Sequence, residues 1–230
     1  MIAKLFRRYQ SDAIILAALG LASALCVALL AARVWAAGNF LHVWLIWNLF
    51  LAWLPLLFAY AARALYAGRT WLRYPAFAAC AGLWLLFFPN APYILTDLMH
   101  LRFATDFPLW YDVTLIMAFA WTGLLLGFLS LYLMQTLVAR SLGPVAGWLF
   151  ALGALGLSAF GVYVGRFLRW NSWDAFTAPQ ALLTELWTQL RHPLAHPRTY
   201  GVTLMLAAFF ITAYFVLFAF TRLRAEGQRN

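Results

Sequence analysis

Asp97 and His100 stand three residues apart at the end of Phe88-Pro89-Asn90-Ala91-Pro92-Tyr93-Ile94-Leu95-Thr96-Asp97-Leu98-Met99-His100. On one helical face a carboxylate can orient an imidazole for acid–base work, and the two can also form half of a divalent-metal site. The pair reads equally as plain polar residues at a membrane edge. Pro89 and Pro92 must interrupt any helix here. The carbonyls they free need protein or water partners, so the break is expected to face a cavity. A second carboxylate, Asp112, follows Trp110-Tyr111 and could join this chemistry or cap its own helix. Asp106, ahead of Phe107-Pro108, reads as a turn residue.

A third segment is Gly165-Arg166-Phe167-Leu168-Arg169-Trp170-Asn171-Ser172-Trp173-Asp174. Arg166 and Arg169 lie three apart, and guanidinium forks bind carboxylate or phosphate at two points. They could pair Asp97 or Asp112, or hold a lipid phosphate. Arg169 could instead be a snorkelling anchor. Asn90, Asn171 and Asp174 complete the candidate substrate-binding set. His192-Pro193-Leu194-Ala195-His196-Pro197 offers two imidazoles, but each proline blocks the helix that would align them.

The elements that must position these residues follow from composition. Hydrophobic residues make up 66% of the 230 and charged residues 10%, against roughly 45–50% and about 25% in soluble domains. Six apolar runs, at about 13–32, 40–62, 75–95, 111–138, 145–168 and 200–221, reach the roughly 20 residues that cross a bilayer. Unpaired backbone is costly in lipid, so the runs should be helices, and the fold class is an all-α, six-helix membrane bundle. The first run could imitate a signal peptide. It exceeds the 7–15 residues or so of a signal core, and we read it as a retained helix. Leu182, Leu183, Leu186, Trp187 and Leu190 mark a short amphipathic helix expected at the outer membrane surface, with Thr177-Ala178-Pro179-Gln180 as its capping box. No linker or repeat divides 1–230.

The net charge of +9 comes from 16 Lys+Arg against 7 Asp+Glu. Basic residues cluster at span ends, which argues for membrane anchoring and against nucleic acid. The tails and even loops carry 10 of them and the odd loops 6, so both termini are expected in the cytoplasm. Five acidic residues (Asp97, Asp106, Asp112, Asp174, Glu185) and all four histidines then fall outside, with Asn48 and Asn90 in the outer halves of their spans. Cys26 and Cys80 lie at different depths, too far apart for a disulfide. Gly123-x-x-x-Gly127 and Gly161-x-x-x-Gly165, with Gly153 and Gly156, allow close helix packing. Pro55 should kink span two.

Several functions are excluded. No lysine lies in a span for a retinal Schiff base, and no intramembrane histidine pair exists for haem. Ser158 has no intramembrane base, and neither His-Glu-x-x-His nor a phosphate loop occurs. The expected site is one outward pocket in which Asp97, His100 and Asp112 are catalytic and Arg166, Arg169, Asn90, Asn171 and Asp174 bind substrate. A divalent metal on Asp97 and His100 is its possible cofactor, and membrane lipids are the expected partners. An enzyme acting on a lipid or lipid-linked envelope substrate is the leading reading. A transporter or flippase with span three lining its path is the alternative, and a non-catalytic assembly factor the third.

The segments from Phe88 to His100, Trp110 to Asp112 and Gly165 to Asp174 together resemble a bacterial family of predicted integral membrane proteins catalogued only as a numbered domain of unknown function. The resemblance implies an inner-membrane location and supplies no activity or catalytic residue.

Overall fold

The computed structural model describes residues 2–66, 73–103, 107–191 and 196–227. Asp106 and His192 lie outside the described residues. Everything regular among those described is helical: α1 (Ile2–Ala37), α2 (Trp44–Tyr66), α3 (Arg73–Phe87), α4 (Asn90–Tyr93), a 3-10 helix (Ile94–Phe103), α5 (Leu109–Leu142), α6 (Pro144–Phe167), α7 (Asp174–Thr177), α8 (Pro179–Arg191) and α9 (Pro197–Gly227). Six stretches are long and apolar enough to cross a membrane: Asp12–Ala37, Trp44–Tyr66, Tyr74–Leu101, Leu109–Leu142, Pro144–Phe167 and Pro197–Thr221. Large apolar side chains such as Ile14, Leu21, Leu204 and Met205 stand exposed on the outermost helices. A water-soluble bundle would bury such a surface, whereas lipid solvates it.

The centre of the bundle is α5. In its most apolar stretch 61% of residues are buried, against 17% in α1 and in α9. α1, α2, α4, the 3-10 helix and α6 all pack against α5, and α9 packs on α6. The core between them is aliphatic and aromatic: Leu45, Leu56, Phe88, Leu115, Phe119 and Leu126 are almost wholly enclosed.

The third crossing breaks where its prolines require. α3 ends at Phe87, a turn carries Phe88 and Pro89, and one helical turn of α4 leads into ten residues of 3-10 helix. Ten residues is long for this conformation, whose runs rarely exceed about four. Three residues per turn set Asp97 and His100 on one edge, a tighter alignment than an α-helix would give.

The expected glycine pairs serve this break. A Cβ on Gly123 would come within 2.5 Å of the Ala91 carbonyl oxygen, and one on Gly127 within 2.9 Å of the Ala91 side chain. A Cβ on Gly161 would lie 2.6 Å from the Pro89 ring. The glycines of α5 and α6 therefore admit the interrupted segment between the two helices. Gly153 and Gly156 have nothing within 4 Å of a Cβ and do not extend the packing stripe.

Pro55 sits inside α2, which continues past it as helix. One further expectation changes. Pro179 does open α8, but Thr177 is not its cap: the Thr177 hydroxyl donates back to Asp174 Oδ1 at 3.2 Å.

Candidate functional site

The broken third crossing delivers Thr96, Asp97 and His100 to the end of α6, where Arg166 meets all three. Arg166 Nε donates to Thr96 Oγ1 at 2.7 Å, Nη1 lies 2.8 Å from His100 Nε2, and Nη2 donates to Asp97 Oδ1. The second carboxylate oxygen, Oδ2, accepts from Asn48 Nδ2 of α2 at 2.8 Å. The Arg166 guanidinium also stacks 4.3 Å from the Tyr93 ring centre. Asp97 is 1% exposed, Arg166 11% and His100 38%, so the carboxylate is sealed while the imidazole reaches the surface.

A guanidinium only donates, so in this contact His100 Nε2 is the acceptor. Arg166 carries five N–H donors, of which three are used. A cleft of about 350 Å³ opens beside them, lined by Trp44, Asn48, Tyr93, Asp97, His100 and Arg166.

The expected metal does not fit. His100 Nε2 and Asp97 Oδ1 are 3.9 Å apart, but Arg166 bonds to both, and a guanidinium and a divalent cation compete for the same lone pairs. Among the described residues no three of His, Cys, Asp or Glu come together to complete a ligand set.

Asp112 does not enter this cluster. It is clamped from the other side by Arg33, near the end of α1, with Nε to Oδ1 at 2.8 Å and Nη2 to Oδ2 at 3.3 Å. Nor does it cap α5, because its oxygens are committed to Arg33. Arg33 Nη1 reaches Asn39 Oδ1 at 2.5 Å, and that oxygen also accepts from the Leu41 amide. The turn between α1 and α2 thus wraps the ion pair. His42 closes it, with Nε2 3.5 Å from Asp112 Oδ2, and holds a left-handed φ of 71°. That backbone costs a non-glycine residue on the order of 1–2 kcal/mol. Arg33, His42 and Asp112 are at most 2% exposed, and neither His42 ring nitrogen has a hydrogen-bond partner among the described residues. Burial is the largest effect on His42 and pulls its pKa below the ordinary imidazole value. Asp112 pulls it back up, while Arg33 and the more distant His100 add to the lowering.

Trp44 lies between the two clusters. Its ring meets His42 edge-on at 5.0 Å and His100 edge-on at 5.3 Å.

The remaining candidates divide. Arg169 is exposed at a φ of 63° and takes no part in the Arg166 cluster. Asp174 is tied locally, accepting from the Asn171 amide at 2.7 Å. Asn90 donates to the Phe87 carbonyl at 3.0 Å and to Ser172 Oγ at 2.9 Å, which joins the α4 break to the turn after α6. Asn90 and Asn171 line a second, larger groove of about 510 Å³. Its walls are mainly apolar (Leu51, Leu85, Leu157, Phe160, Val164), and Leu182 and Leu186 of α8 border it. Asn48 and Tyr93 line the groove and the charged cleft alike, so the two cavities adjoin.

Sequence reasoning passed over Arg33 and His42, and left Asn48, Thr96 and Tyr93 without a role. Arg33 had a signal: it is a lone charge in the last turn of an apolar run, where an ionisable group is costly unless paired. His42 had none beyond its proximity to a span.

No curated protein and no solved structure matches the chain. The family model described as "Protein of unknown function (DUF1361)" matches residues 47–213. That range holds the whole Asp97 cluster, the larger groove and all of the cleft lining but Trp44, while Arg33, Asn39 and His42 precede it. A match over most of the length, from the second crossing into the sixth, makes the chain a member of this family of unknown function.

Proposed function

We propose that the protein is an enzyme acting at the outer face of a bacterial inner membrane, on the polar head of a lipid or lipid-linked envelope substrate. One observation carries the reading: an apolar groove adjoins a charged cleft, and Asn48 and Tyr93 line both. An amphiphile needs this combination, with tail and head accommodated side by side. The excess of Lys and Arg in the tails and even loops supports cytoplasmic termini, which puts the groove at the outer leaflet. The apolar face of α8 suits a place in the interface, where exposed Leu183 and Trp187 meet lipid.

Within the cluster His100 is the group suited to exchange a proton. Asp97 is buried with both oxygens bonded, and a guanidinium does not give up its proton at neutral pH. His100 is the exposed member, with Nε2 turned toward Arg166. A head group that draws Arg166 away would free Nε2 to act as a general base. Transport is the weaker reading. From Asn48 toward the opposite face α2 presents buried Leu49, Ala52 and Leu56, and the buried polar groups of α5, Thr122, Ser130 and Gln135, are each spent on a partner inside the bundle (Cys26, Trp84 and Tyr214).

The test compares membrane lipids from cells expressing wild type or His100→Gln. The enzyme reading expects a lipid species that accumulates or disappears with wild type only, while the variant folds normally. Identical lipid species with a changed distribution between leaflets would sink it in favour of transport.

A further inference from the structure

The groove wall specifies more than a tail. Three carboxamides line it, from Asn48, Asn90 and Asn171. Each is oriented by a partner that can only accept: Asn48 Nδ2 faces the Asp97 carboxylate, Asn90 Nδ2 the Phe87 carbonyl, and Asn171 Nδ2 the Asp174 carboxylate at 3.4 Å. Flipping any of them would set oxygen against oxygen. All three side-chain carbonyl oxygens are therefore left over as acceptors, and none takes a hydrogen bond from the described residues. Among the described residues no charged side chain lines this groove. A phosphate or a carboxylate, being acceptor-only when ionised, would meet three acceptor oxygens and no counter-charge, with neutral hydroxyl and indole donors to offset them. Arg166 next door does not change this, because its charge is already matched by Asp97.

Aromatic rings complete the wall. Trp47 and Trp173 meet edge-on at 6.4 Å, and both are more than a third exposed. Indole faces pack well on the C–H faces of a ring or short chain whose hydroxyls point sideways.

Resting on the amphiphile reading, we propose that the groove binds a hydroxyl-rich head group, a sugar or a glycerol, carried on an apolar chain. The hydroxyls donate to Asn48, Asn90 and Asn171, the carbon skeleton lies on Trp47 and Trp173, and the chain runs between α3 and α6 along Leu85 and Leu157. The head then projects toward the cleft, where His100 and the two unused Arg166 donors meet it.

The experiment uses the full chain in phosphatidylcholine nanodiscs, whose head group offers no hydrogen-bond donor. A decyl glucoside with a photoreactive diazirine in its chain labels the protein, and unlabelled decyl glucoside, decyl glycerol ether or decyl phosphate competes. We expect a hydroxyl-headed competitor to block labelling at about one-tenth of the concentration needed for decyl phosphate, the size of one or two hydrogen bonds. The order of glucoside and glycerol identifies which source the site prefers. Asn171→Ala, in an exposed turn, should lower the preference over phosphate several-fold. Leu157→Trp, which fills the groove from an exposed position, should abolish labelling. Decyl phosphate competing equally or better would overturn the head-group assignment and leave the amphiphile reading standing. Labelling unaffected by Leu157→Trp and by every competitor would overturn both.

Discussion

The molecule holds two buried arginine–aspartate pairs at the same end of the bundle, each with a histidine beside it and Trp44 between them. Arg33–Asp112–His42 is closed on every side, with no member more than 2% exposed. Arg166–Asp97–His100 seals only its carboxylate and opens the rest to a cleft. The first ties the end of α1 and the following turn to the first turn of α5. The second ties the broken third crossing to α6 and leaves donors over. The same chemistry is thus a closed fastening in one place and an open candidate site in the other, and solvent access separates the two.

The largest effect that would test this contrast is loss of the closed pair. Arg33→Met should cost about 3–5 kcal/mol by leaving Asp112 charged and enclosed. Arg166→Met should cost less, because the cleft lets water reach the Asp97 region. Thermal unfolding in mild detergent measures both, and equal losses would erase the distinction. Next come the glycines that seat the α4 break. Gly123→Ala should cost about 1–3 kcal/mol, because its Cβ meets backbone oxygen that cannot swing aside. Gly153→Ala, facing open space, should be neutral or slightly stabilising by the same assay.

A pH series sharpens the comparison further. Burial holds His42 neutral, so its folded pKa is below the unfolded value of about 6.5. Below pH 6.5 the unfolded chain binds the proton that the folded chain refuses. Stability is therefore full above about pH 6.5 and falls as the pH drops toward the folded pKa, by at most about 1.4 kcal/mol per pH unit. Asp112, Arg33 and His100 are the charged or titratable groups facing His42, and Asp112 opposes the trend. His42→Asn, which tolerates the left-handed backbone, should flatten this part of the profile. An unchanged slope would mean that the closed cluster does not carry it. The smallest stability change belongs to the open cluster: His100→Gln should shift unfolding by less than about 0.5 kcal/mol while removing function. A large stability loss there would make His100 another fastening.

Composition and apolar run length determined the helical class, the six crossings and their approximate limits, because lipid leaves the backbone few alternatives. The prolines at 89 and 92 determined that span three breaks, since a missing N–H and a ring clash are local facts. Local spacing also put Asp97 and His100 on one edge. Partner choice lay beyond the sequence. Arg166 had two carboxylates within plausible reach, and only the seating of α4 between α5 and α6 gave it Asp97 and left Asp112 to Arg33. The metal expectation failed for the same reason, because a two-residue motif does not reveal that a cation from another helix already occupies the space between its members. Exposure was decided last of all: one ion pair stays open to a cleft and the other is closed by how the turn of residues 38–43 folds over it, a long-range outcome that no local pattern encodes.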